Sequence, residues 1–302
     1  MSGVETSALA TDSTADVLIP AAPPSSAGQP ASVASGPNVG ALLWQITKFL
    51  GSLLGSFVLI LVIWWLFLLA FPDIGPIIGR TPVQVFQYLF TEPGAADARS
   101  EILDNLTITL TDAAIGFVVG MAAAVLVAAL FVVSRPAAQT FMPIAMLLRS
   151  VPLVAMTPLI TLVVGRGVGV VAVMGGIVVF FPALVMIMTG LANAPTQITD
   201  VIAVYGGGRW TALRRSAIPS AVPSLFGAAK ISVPGALVGA TVAEWLGTNR
   251  GLGATLQQAL PAAAYNELWA SVLVITVASI VLYAIVGVVE SLVLAQMGMQ
   301  QN

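Results

Sequence analysis

The sequence predicts an all-α integral membrane protein with about six transmembrane helices, and three observations carry that expectation. Hydrophobic residues make up 58% of the chain and charged residues only 8%, whereas soluble domains carry about a quarter charged residues, so the polar surface cannot clothe a water-facing globule. Six apolar runs reach the roughly 20 residues needed to cross about 30 Å of hydrocarbon. Runs of that length far exceed barrel strands, and inside lipid a helix satisfies its own backbone.

Residues 1–40, rich in Ala, Ser, Pro and Gly, carry Glu5, Asp12 and Asp16 but no basic residue before Lys48. They read as a disordered tail ahead of a membrane domain over 41–302, without the basic start and apolar run of a secretory signal. The first span covers 53–71 and stops at Pro72. In the loop over 72–106, Phe86, Tyr88, Leu89 and Phe90 predict a short amphipathic helix lying along the membrane interface.

The second and third spans cover 109–133 and 141–164. Arg149 falls about two turns into the third, where a cation is costly unless it faces a cavity or snorkels to the headgroups; both readings stand. Pro152 and Pro158 interrupt helical hydrogen bonding, either freeing carbonyls to line a path or kinking the helix for packing. The fourth span covers 168–191, the fifth 225–245 and the sixth 268–295. Glu244 ends the fifth beside Trp245, which fits an interfacial aromatic belt, and a neighbouring basic group is its expected partner. Gly247, Gly251 and Gly253 suggest a bent loop returning toward the membrane. Gly116, Gly120, Ala124, Ala128, Gly235 and Gly239 recur at four-residue spacing, which permits close helix packing.

With the N-terminus inside, the cytoplasmic side receives Lys48, Arg135, Arg209, Arg214, Arg215 and Lys230, and the outer side Arg80, Arg99, Arg166 and Arg250. That bias places both termini in the cytoplasm. A net charge of −2 lacks the basic excess that a nucleic-acid partner demands. The absence of His and Cys removes disulfides, thiolate nucleophiles, imidazole bases and the usual zinc sites, so neither a catalytic centre nor a metal site is expected.

A polar island over 193–219 interrupts the apolar chain between the fourth and fifth spans. Pro195 suits a helix start, and Gly206, Gly207 and Gly208 break that helix. Trp210, Leu213 and Ala217 then recur at three- and four-residue spacing, opposite Arg214 and Arg215, predicting a short helix whose apolar stripe sits in a partner's cleft. No strand or Walker lysine accompanies the glycines, so they make no phosphate loop.

The island resembles the EAA loop of ABC-importer permeases: Glu-Ala-Ala, three residues, Gly, nine residues, Ile, one residue, Leu-Pro. Asp200, Val201 and Ile202 stand at the first three positions, Gly206 at the glycine, Ser216 at the Ile, Ile218 at the Leu and Pro219 at the proline. Spacing is kept, while Val201, Ile202 and Ser216 depart in identity. The run from Leu148 to Leu159, including Arg149, Pro152 and Pro158, is similar to the third-span segment of the nitrate, sulfonate, taurine and bicarbonate branch, as is Ala243-Glu244-Trp245-Leu246-Gly247 with Gly251-Leu252-Gly253.

This resemblance implies a type I ABC importer permease fold in the inner membrane of a prokaryote. It implies a second permease subunit, identical or paralogous, two cytoplasmic ATPase subunits that bind the ATP and Mg, and an extracytoplasmic binding protein that delivers a small solute and could itself pair with Glu244. It further implies that Asp200, Gly206, Gly207, Arg209, Trp210, Arg214 and Pro219 couple the chain to the ATPase, although Arg214 and Arg215 also read as topology-setting charges. No cofactor is expected in this chain. The alternatives are an ion-coupled secondary carrier, disfavoured by spans almost free of titratable groups, and a non-transporting membrane scaffold.

Overall fold

The structure, a computed structural model, describes residues 39–71 and 78–297, with backbone alone at several positions early in the first helix and in the fourth. The tail assigned to 1–40 lies outside the described residues apart from Val39 and Gly40, which open helix α1 (Val39–Ala70). The helices α2 (Pro82–Phe90), α3 (Ala95–Val133), α4 (Arg135–Arg149), α5 (Leu153–Val164), α6 (Val168–Ala192), α7 (Thr196–Val204), α8 (Arg209–Ala212), α9 (Ile218–Ala243), α10 (Gly251–Ala259) and α11 (Tyr265–Gln296) follow. The π-helical turn Leu213–Ala217 joins α8 to α9 and a second, Glu244–Thr248, extends α9, giving one continuous helical run of 40 residues.

The centre of the bundle is α3, α6 and α9, held at backbone contact by missing side chains. A Cβ on Gly116 would stand 2.7 Å from the Gly175 Cα, one on Gly120 2.7 Å from the Val179 Cβ, and one on Gly239 2.7 Å from the Gly175 Cα. Gly175 is therefore where three helices cross. Ala124 and Ala128 continue the small face of α3 and are fully buried, as their spacing predicts. Gly116 meeting Gly175 and Gly120 meeting Gly176 show that α3 and α6 run parallel. Met186 beside Gly227 and Val178 beside Gly235 show that α9 runs against α6.

Because α3 and α6 are parallel, the chain between them must recross the bundle. The sequence predicts one continuous span there, over 141–164; the structure divides the crossing between α4 and α5. Pro152 is the cause: its ring bars the preceding residue from helical geometry, and it lacks the amide that would continue the ladder. Both the Ser150 amide (3.0 Å) and its Oγ (2.6 Å) donate to the Leu147 carbonyl and close α4, while Pro152 starts α5 by accepting from the Ala155 and Met156 amides. With 12 residues, α5 reaches only about 18 Å. The described residues thus hold five helices long and apolar enough to cross a membrane, besides this divided sixth crossing.

The predicted interfacial helix is α2, started by a capping box in which Thr81 Oγ1 accepts from the Gln84 amide and the Gln84 side chain accepts from the Thr81 amide. Its Val85 and Leu89 are buried against α3 and α11. The outermost helices, α1 and α11, leave most of their surface open. Stacking of Trp64 on Trp269 and of Phe49 on Tyr283 holds them together. Lys230 of α9 pairs with Glu290 of α11, and its ammonium lies 5.5 Å from the Phe49 ring, so one cation ties three helices.

Candidate functional site

Residues 193–219 form a bracket at one end of the bundle. Helix α7 buries none of its residues, and it ends in a Schellman motif: the Gly206 amide donates to the Ala203 carbonyl (3.0 Å) and the Gly207 amide to the Ile202 carbonyl (2.8 Å). Gly206 takes φ +77°, a left-handed geometry that glycine adopts without a Cβ penalty. Gly207 is needed for a different reason, since a Cβ there would stand 2.5 Å from Ile202 Cγ2. Gly208 has open space around it and starts α8.

The bracket is pinned to the bundle by the π-turn. Leu213 and Ala217 are buried against α3 and α6, and Ser216 is buried beside them. Arg209 donates to the Val133 carbonyl at the end of α3 (3.3 Å). The π-turn also accounts for Pro219. A proline offers no amide to the carbonyl four residues back, and its ring crowds that carbonyl; the Ile218 amide reaches five residues back to Leu213, and the wider turn accommodates the defect.

The expected stripe of Trp210, Leu213 and Ala217 therefore splits. Leu213 and Ala217 face the bundle core and leave only Trp210, at 66% exposure, available to a partner. The apolar surface that does face outward lies on α7 and its cap: Val201, Val204 at 85% exposure and Tyr205 at 88%. Sequence reasoning missed Val204 and Tyr205, whose signal was apolar spacing on a helix with no buried counterpart. Asp200, Arg214, Arg215 and Pro219 are exposed around this surface, and among the described residues Asp200, Arg209, Arg214 and Arg215 form no ion pair.

Arg149, Pro152, Pro158 and Glu244 fall on different elements, of which α5 and the Glu244–Thr248 turn pack together. Arg149 is the last residue of α4, with its backbone alone described. Pro152 and Pro158 lie exposed on α5, whose buried Thr157 and Ile160 face inward, Ile160 in the cluster around Ala243. Glu244 is fully buried, and the basic partner expected for it is absent among the described residues. Its Oε2 instead accepts from Thr109 Oγ1 (2.9 Å) and from the Gly253 amide (2.8 Å), while Thr109 Oγ1 accepts from the Leu252 amide (2.9 Å). Glu244 thus caps the first turn of α10 from another element, satisfying amides that helix starts leave free. The nearby guanidinium, Arg250, donates to Asp112 at 3.0 Å.

Against known proteins, a family model described as binding-protein-dependent transport system inner membrane component matches residues 116–297. The chain is 28% identical over 204 residues to a probable ABC transporter permease protein of Haemophilus influenzae, covering 67% of this chain and 80% of that one. It is 27% identical to the riboflavin transport system permease protein RibX of Chloroflexus aurantiacus, covering 51% of this chain and 58% of the relative. To the putative aliphatic sulfonates transport permease protein SsuC of Bacillus subtilis it is 24% identical, covering 59% and 64%. Among solved structures, a chain of the inward-facing MetNI methionine ABC transporter superposes with a TM-score of 0.53 at 19% identity, covering 70% of this chain and 100% of that chain, a likeness of fold.

Proposed function

Because the chain belongs to the family of binding-protein-dependent transport system inner membrane components, a family of multi-pass permeases, we propose that it forms, with a second permease subunit, the path of an ATP-driven importer for a small solute. Residues 193–219 dock on cytoplasmic ATPase subunits, which hold the ATP and Mg, and an extracytoplasmic binding protein supplies the solute. The single observation that carries the docking role is the exposed apolar patch of Val201, Val204, Tyr205 and Trp210, carried on a bracket that Leu213 and Ala217 root in the bundle core. Such a patch is costly in water and fits a partner's cleft.

In this reading the ATPase pair closes on ATP and shifts the brackets, moving the two bundles between packings that open the path to one side or the other. The permease contributes differential contacts between two states and no bond chemistry. The relatives are named for riboflavin and for aliphatic sulfonates, so they converge on no one solute. Both termini, and the bracket, face the cytoplasm, in keeping with the six basic residues on that end against four on the other.

The test is copurification from native membranes followed by ATPase assay in lipid nanodiscs. Trp210→Ala should weaken ATPase-subunit recovery by roughly thirtyfold in affinity, the scale of an aromatic hot spot worth about 2 kcal/mol. Gly206→Asp should abolish stimulated hydrolysis while leaving the chain in the membrane. Unchanged recovery and stimulation in both variants sinks the docking role.

A further inference from the structure

We propose that the bundle carries a binding site for one anionic phospholipid at the bracket end, with an acyl chain in a groove between α3, α6 and α9 and the phosphate at Arg214 and Arg215. The groove has a volume of about 110 Å³ and is lined by apolar residues, among them Val125, Leu191, Leu213, Ile218, Val222 and Leu225. That slot takes an unbranched chain but not a helix, whose body is about 10 Å across.

Charge complementarity selects the occupant. Arg214 falls inside the π-turn between Leu213 and Ile218, both of which line the groove, so it stands at the groove's bracket end. Arg215 is next to it, both are exposed, and neither has an ionic partner among the described residues. No acidic side chain lines the groove. From Arg214 to Leu225 the rise is about 16 Å, one leaflet of a bilayer about 30 Å thick, so a headgroup held at the arginines places a short stretch of its chain, about four methylenes, in the groove. The lipid chain would rest on Leu213 and Ile218, the two ends of the π-turn that roots the bracket. Arg214 and Arg215 lie within the bracket of the docking reading, and the proposal gives these two side chains to the bilayer while Val201, Val204, Tyr205 and Trp210 remain for the partner.

The full chain, with whatever subunits copurify, is reconstituted in phosphatidylcholine containing a minority of phosphatidylglycerol, then extracted in detergent, and the retained lipid is counted by mass spectrometry. Wild type should retain phosphatidylglycerol enriched about tenfold over its share of the bilayer, the scale of one to two interfacial arginines. Arg214→Gln with Arg215→Gln should return the ratio to that of the bilayer, the paired lysine variant should keep most of the enrichment, and Val222→Trp should lower retention of both lipids by filling the groove. A wild-type ratio equal to the bilayer overturns the site. So does a glutamine variant that loses ATPase subunits while keeping its lipid, which would assign the arginines to protein. Cross-linking between copies through Leu225→Cys, with no lipid retained, would overturn it by giving the groove to a second copy.

Discussion

At Glu244 a carboxylate inside an apolar bundle is held by donors and not by a counter-ion. Removing that acceptor strands the Gly253 amide, a buried donor whose loss of a partner costs about 1–3 kcal/mol, while the Thr109 hydroxyl keeps the Asn105 carbonyl at 3.1 Å. Glu244→Ala should therefore lower the thermal midpoint in detergent by several degrees, and Glu244→Gln, which keeps an oxygen acceptor, should lower it less. Equal midpoints for Ala and wild type would refute the cap. Lys230 and Glu290 behave differently, because each neutralises the other inside the bundle. Lys230→Met should cost about 3–5 kcal/mol by leaving the buried Glu290 charge unpaired, Glu290→Leu should cost less because the Lys230 side chain is 21% exposed, and the double change should recover most of the loss. A double-mutant cycle in denaturant with no coupling energy would show the pair to be idle. Neither partnership was legible beforehand: Glu244 reads from sequence as a helix-end acid, but its hydroxyl donor is 135 residues away, and no local pattern encodes a contact that distant.

Among the elements, the spans read well because about 20 apolar residues have few other uses. The third did not, since hydropathy passes straight through Pro152 while backbone geometry does not. The bracket stripe was read with the right spacing and the wrong face: periodicity says that Trp210, Leu213 and Ala217 are neighbours, but only the surrounding helices decide that Leu213 and Ala217 point to the core. The glycines break the helix as the sequence suggests, and the cap geometry of Gly206 makes a prediction. Gly206→Ala forces a Cβ into φ +77° and should cost about 1–3 kcal/mol locally, so hydrogen exchange over Thr196–Val204 should quicken roughly tenfold or more while α6 and α9 are unchanged. Protection equal to wild type would mean that the cap does not hold α7.

For the molecule as a whole, orientation is open to direct measurement because the chain contains no cysteine. Tyr205→Cys, at a highly exposed position, should react with a membrane-impermeant maleimide in inverted vesicles and not in right-side-out ones. The reverse pattern would invert the proposed topology. The contact at Gly175 sets how such a molecule transmits motion. Gly239 on Gly175, Gly235 beside Val178, Gly227 beside Met186 and Ser224 beside Gly190 hold α9 against α6 at close range along most of its length. A push at the bracket would therefore carry α6 and α9 together as one body, and not α9 alone. Spin-label distances between α6 and α9 should then stay constant between the two states of the path, while distances from either helix to α11 change; an α6–α9 distance that shifts by several ångströms would show that the glycine seam slides.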